Sequence, residues 1–136
     1  YASSSSQFAT PGVNIGLFCS TPMVALSRNA TVKHSMEMLL TGDFISAGEA
    51  ADKGLINTSL EQADLESHVL EKAKKIAAKS KTTLKIGKKA FYEQIEMPLS
   101  KAYEYASQVM VENMLEHDAK EGIEAFLDKR PPSWKE

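Results

Sequence analysis

The chain has 136 residues and a formal net charge of −2, with 43% hydrophobic and 25% charged residues. These proportions suit one globular domain or a piece of one, and they exclude a disordered polar chain, a collagen-like repeat and a disulfide scaffold. The single cysteine, Cys19, cannot close an internal disulfide, no apolar run is long enough to span a bilayer, and no global positive field draws nucleic acid or an acidic membrane.

Charge is distributed unevenly: residues 1–27 contain no Asp, Glu, Lys or Arg, and the first charged side chain is Arg28. A long uncharged stretch of small residues usually runs through a folded interior; the alternative is a flexible Ser-rich lead, which fits residues 1–6 only. From Phe8 onward the spacing of Val13, Ile15, Leu17 and Phe18 predicts a buried segment, a short strand near Gln7 to Ala9 followed by an ordered loop. The rest reads as helices. Val32, Met36, Leu39 and Leu40 recur on one helical face, with Gly42 as the stop. Ser46-Ala47-Gly48-Glu49 has the form of a capping box and opens a short helix that Gly54 closes, and Leu55 to Leu60 is a brief extended stretch. Leu65, Val69, Ala73, Ile76 and Ala77 mark a long helix from Glu61 to Lys79. Leu84, Phe91 and Ile95 mark another, weakened by Gly87, and Pro98 falls in the first turn of the next. On that helix Leu99, Ala102, Tyr103, Ala106, Met110, Asn113, Met114 and His117 form an inward stripe. Asp118 to Glu121 has the form of a last helix start, with Ile123, Phe126 and Leu127 behind it and Pro131-Pro132 as its end. The leading strand has no sheet of its own to join, and the chain opens on Tyr1 rather than Met. Both lead us to expect an upstream half.

Candidate chemistry is sparse. Eight lysines, from Lys72 to Lys89, fall within 18 residues that contain no acid, which makes either a solvated helix face or an attractor for a phosphate-bearing ligand. His34, His68 and His117 stand apart, so no metal site is expected. Cys19 has no base readable beside it and is expected to be buried, and Gly12 and Gly16 make no nucleotide-binding fingerprint. The methionines, with Tyr92, Tyr103 and Tyr105, read as packing residues.

Three segments nevertheless carry a pattern in order. Gln7-Phe8-Ala9-Thr10-Pro11-Gly12-Val13-Asn14-Ile15-Gly16 resembles the crotonase-family stretch F-x-x-P-E-x-x-x-G. Met36 to Ala47, continued by Ala50 and Gly54-Leu55-Ile56, is similar to that family's helix-turn-helix and its A-x-x-x-G-L-V run. Glu121 to Arg130 is similar to its E-G-x-x-A-F-x-x-K-R tail. The resemblance implies a mostly α piece, the C-terminal half of a crotonase-like ββα spiral. Residues 1–27 would end the spiral core as one short strand region, and 28–136 would form about six helices with an oligomerisation surface.

The resemblance further implies an enoyl-CoA hydratase/isomerase-like parent acting on acyl-CoA thioesters through an enolate. Coenzyme A would enter as part of the substrate, with no covalently bound cofactor. The assembly would be a trimer or dimer of trimers, without nucleic acid or membrane as partner. The oxyanion-hole strands would lie upstream, leaving no catalytic residue here. Pro11, Gly12, Cys19 and Ser20 would border the acyl pocket, and Phe126 and Lys129 would lie near coenzyme A. Gly12 stands where hydratases carry a glutamate, and a hydrogen side chain transfers no proton. The alternative is a crotonase-like oligomerisation or acyl-CoA-binding module without activity.

Overall fold

The structure is a computed structural model and describes residues 1–135. In chain order it contains β1 (Ala2–Ser3), β2 (Gln7–Phe8), a 3-10 helix (Pro11–Ile15), α1 (Ser20–Asn29), α2 (Val32–Thr41), β3 (Ile45–Ser46), α3 (Ala47–Asp52), β4 (Ser59–Leu60), α4 (Gln62–Ala77), α5 (Lys81–Gln94), α6 (Leu99–Leu115) and α7 (His117–Leu127). It is mostly helical, as expected, and forms two compact units, Tyr1–Glu71 and Lys72–Glu136.

In the first unit the leading strands do find partners. β1 pairs parallel with β4, Ala2 against Ser59, and β2 pairs antiparallel with β3, Phe8 against Ile45. The expectation of an unpaired strand is therefore corrected; Ala2 and Ser3 are buried, which fits a segment in the folded interior and goes against the alternative of a flexible serine lead. The expected loop after Pro11 is instead a 3-10 turn and a full helix, α1. Pro22 sits in the first turn of α1, where its missing N–H costs nothing.

The caps read from sequence are in place. Gly42 ends α2 in the left-handed region at φ 65°. Ser46 Oγ accepts the Glu49 N–H while the Glu49 carboxylate accepts the Ser46 N–H at 2.8 Å, so two orphan donors of α3 are satisfied reciprocally. The Ser46 hydroxyl, which donates to the same carboxylate at 2.7 Å, and then the Ser46 N–H hold the Glu49 carboxyl below the usual carboxylate range. The core of this unit is Leu26, Met38, Leu39, Ile45 and Ala50, drawn from α1, α2, β3 and α3.

The second unit is built differently. Its buried apolar residues are Ala102 and Ala125. Of the stripe expected to face inward on α6, Ala102 is buried and Asn113 half-buried, but the large apolar members are open: Leu99 is 75% exposed, Tyr103 70%, Met110 61% and Met114 54%. Pro98 is the residue preceding the first turn of α6 rather than a member of it, and Glu116, not Asp118, precedes α7. α5 and α6 lie side by side, and Tyr105 of α6 donates its hydroxyl to Glu93 of α5.

α7 ends at Leu127, before the proline pair, and the chain turns at Lys129, whose φ of 54° is left-handed. The tail then folds back. Trp134 Nε1 donates to the Ala78 carbonyl at 2.9 Å, and the Lys135 N–H donates to Asp118 Oδ1 at 2.9 Å.

Candidate functional site

The first candidate region lies in the first unit and is organised by the backbone of Pro11–Ile15. Pro11 begins the 3-10 turn with its φ already set, and Thr10 anchors the entry by donating its hydroxyl to the Met38 carbonyl at 2.8 Å. The Gly12 carbonyl accepts the Leu17 N–H at 2.9 Å, and the Gly12 N–H donates to Cys19 Sγ at 3.3 Å. Gly16, at φ 79°, makes the reversal between them. Ser20 opens α1, and its hydroxyl donates back to the Phe18 carbonyl. Pro11, Gly12, Cys19 and Ser20 are thus brought together in one turn. Cys19 is half-buried rather than buried, with its sulfur in use as an acceptor.

Glycine at position 12 is a steric requirement. A Cβ there would lie 2.6 Å from the Leu17 carbonyl oxygen and 2.7 Å from Cys19 Sγ. Real Cβ atoms do not approach backbone oxygen so closely, and in a packed loop the whole reversal would have to shift. Any side chain at this position, not only a carboxylate, therefore requires the turn to shift.

Beside this turn, but not lined by these four residues, is a cavity of about 510 Å³. Phe8, Pro22, Leu26, Met38 and Leu55 form its apolar wall, with Gln7, Thr10 and Asn29 as its polar groups. Sequence reasoning misses these wall residues because it reads α1, which contributes Pro22 and Leu26, as loop. Ser20-Thr21-Pro22 is the available signal, since proline in a first turn is a helix start. The expected burial of Ile15, Leu17 and Phe18 also fails: they are exposed, at 77%, 63% and 43%.

The second candidate region belongs to the second unit. Phe126, on the last turn of α7, is 82% exposed, which excludes a core role within the chain. Lys129 stands two residues beyond the helix, exposed, its backbone N–H donated to the Phe126 carbonyl. The tail beyond them folds back onto α7. Arg130 grips Glu121 with two nitrogens at 2.7 and 3.0 Å, and the Ser133 N–H donates to the same carboxylate at 2.7 Å. Arg130 and then Ser133 hold the Glu121 carboxyl down to about 2, and the Arg130 guanidinium is pushed up in return. Asp118 is held below the usual carboxylate range by the Ser80 hydroxyl, the Lys135 N–H and His117. Against this frame lies a cavity of about 500 Å³ walled by Leu84, Ile123, Phe126, Leu127 and Trp134. Among the described residues no group of His, Cys, Asp and Glu is placed to hold a metal ion.

This fold is shared with known proteins. The family described as Enoyl-CoA hydratase/isomerase matches residues 1–136. The chain is 52% identical over 133 residues to "Enoyl-CoA hydratase domain-containing protein 3, mitochondrial" of Rattus norvegicus, covering 98% of this chain and 44% of that protein. It therefore spans less than half the length of that relative. The fold superposes on a crystal structure of an enoyl-CoA hydratase from Mycobacterium smegmatis with a TM-score of 0.94 at 44% identity, over 97% of this chain and 51% of the other. It superposes on human enoyl coenzyme A hydratase domain-containing protein 3 with a TM-score of 0.92 at 48% identity, over 97% and 52%. The chain belongs to the enoyl-CoA hydratase/isomerase family, and it corresponds to the C-terminal part of that crotonase fold.

Proposed function

We propose that the chain is part of a protein acting on acyl-CoA thioesters through an enolate, and that it performs no turnover by itself. In this reading the turn from Pro11 to Ser20 borders the acyl group, and Phe126 with Lys129 meets coenzyme A: the ring offers a flat apolar face, the ammonium a counter-charge to phosphate.

The observation that carries the reading is the sealed space at Gly12. Hydration requires a proton delivered to the α-carbon, and Gly12, which the resemblance aligns with a hydratase glutamate, has backbone and a thiol as its neighbours. Isomerase-type proton transfer by a carboxylate elsewhere in the complete protein fits that turn better than hydration does.

A second reading, an oligomerisation module without activity, is favoured by the open face of α6, where Leu99, Tyr103, Met110 and Met114 are all more than half exposed. A contiguous apolar stripe of that kind marks a surface that a partner covers, and the family resemblance makes a trimer the assembly proposed.

The test is a pair of measurements. The isolated chain, given a trans-2-enoyl-CoA, is expected to leave the enoyl absorbance at background; robust loss would sink the claim of no independent turnover. In the complete protein Lys129→Glu is expected to weaken coenzyme A binding in calorimetry, with the difference shrinking as salt is added. Equal affinity at low salt rejects the assignment of Lys129.

A further inference from the structure

The acyl-CoA reading leaves the lysine run unexplained. On α5, Lys81, Lys85, Lys88 and Lys89 fall at i, i+4, i+7 and i+8, a single stripe extending about 12 Å along the axis at roughly 1.5 Å per residue. The other side of α5 is committed: Ile86, Ala90 and Gln94 face α6 across an apolar groove. The lysines therefore take the face turned away from the packed one, and all four are exposed.

Among the described residues only Lys89 of this stripe has a carboxylate within reach, Glu93 at 3.7 Å, and that lysine remains 73% exposed. Such a pair neutralises little. Tyr92, 65% exposed, is eleven residues on from Lys81 and so falls inside the same stripe.

We infer that this face of α5 docks on an anionic phospholipid surface. Four ammonium groups on flexible stems, with no arginine fork and no enclosing wall, suit a planar field of negative charge rather than one fixed phosphate. A helix side is straight over this length, and a row of basic residues along one is the recurrent form of attraction to acidic lipid. Tyr92 adds an amphipathic ring at the depth where such rings settle, the headgroup level. Single-stranded nucleic acid fits less well, because successive bases need successive aromatic platforms and this stripe has one. The overall charge of −2 does not oppose the inference, since attraction decays within a Debye length and reads the near face only.

The experiment is co-sedimentation of the full 136-residue chain with phosphatidylcholine vesicles and with the same vesicles containing phosphatidylglycerol. Binding is expected only to the second, with partitioning falling about fivefold for each lysine removed and falling again with salt. The charge-reversal variant Lys81→Glu/Lys85→Glu/Lys88→Glu is expected to stay in solution, and Lys81→Gln/Lys85→Gln/Lys88→Gln to lose most binding with unchanged circular dichroism. Lys33→Glu/Lys101→Glu/Lys120→Glu alters net charge equally from exposed positions off this stripe, and it is expected to keep most of the binding. Equal sedimentation with both vesicle types, equal binding by the stripe and control variants, or capture by a single-stranded oligonucleotide without capture by vesicles would each overturn the inference.

Discussion

The two units reach order by opposite means. The first concentrates Leu26, Met38, Leu39 and Ile45 into an apolar centre, and its candidate turn is closed by main-chain groups of Gly12 and Leu17. Among the described residues the second buries only two alanines as apolar residues, and it fixes its candidate tail with charge: Glu121 to Arg130, Asp118 to the Lys135 N–H. Its large apolar side chains on α6 and α7 point outward instead. The difference teaches where each site is vulnerable. The first should respond to changes of volume, the second to pH and to removal of a single polar contact, with its exposed faces as a surface for association.

The largest expected effect is at the apolar centre. Among the described residues Leu39 is the biggest fully buried side chain, 2% exposed. Leu39→Ala should cost about 2–5 kcal/mol in urea unfolding of the first unit, because the cavity cannot collapse onto so small a remainder. A loss below about 1 kcal/mol would mean that this centre does not stabilise the unit as its burial implies.

A smaller effect is expected at the turn. Gly12→Ala places a Cβ against the Leu17 carbonyl and the Cys19 sulfur, and it should cost about 1–3 kcal/mol by thermal or urea unfolding. Adding Cys19→Ala should return part of that loss, since it removes one of the two clashes while the backbone one stays. Full additivity of the two changes would contradict the packing. For the same reason Gly12→Glu in the complete protein is expected to raise no hydration activity, although a hydratase glutamate is what it restores.

The capping box ranks next. Ser46→Ala removes the side-chain acceptor from the Glu49 N–H, and about 1 kcal/mol of stability should go with it. An unchanged unfolding midpoint would show that neighbouring packing alone holds α3.

The tail gives the gentlest test and one with a sign. Glu121 is held from the ordinary 4.5 down to about 2, so it is the folded state that prefers the carboxylate. The stabilisation is complete above about 4.5 and is lost as the pH falls toward 2. Glu121→Gln should flatten the pH dependence of Trp134 fluorescence across that interval, because Trp134 lies on the same returning tail. If wild type and variant lose the tail signal in parallel, the Arg130 pair does not hold it.

Local chemistry is legible in the sequence wherever a few adjacent residues decide the outcome. Gly42, the Ser46–Glu49 box and Gly54 are capping signals complete within one turn of chain, and the helices they bound can be read to within a few residues. α1 escapes such a reading because its only buried residue is Leu26, so no apolar stripe announces it. The strand pairs escape for another reason: β2 meets β3 across a separation of more than thirty residues, and two-residue strands have no period to detect.

For the candidate site, sequence alone supplied the candidate residues and the family they resemble, since Gly12, Phe126 and Lys129 sit in ordered motifs. Composition and spacing also determined that the chain is helical. Only the tertiary structure decided that a side chain at position 12 meets a crowded turn, because the oxygen and sulfur that close it arrive from five and seven residues onward through a reversal at Gly16. It alone decided, too, that the large apolar members of the α6 stripe and Phe126 are open. Periodicity marks which side chains share a face of a helix, but which face is covered depends on the elements that pack there, and these are set by the whole chain's arrangement in space.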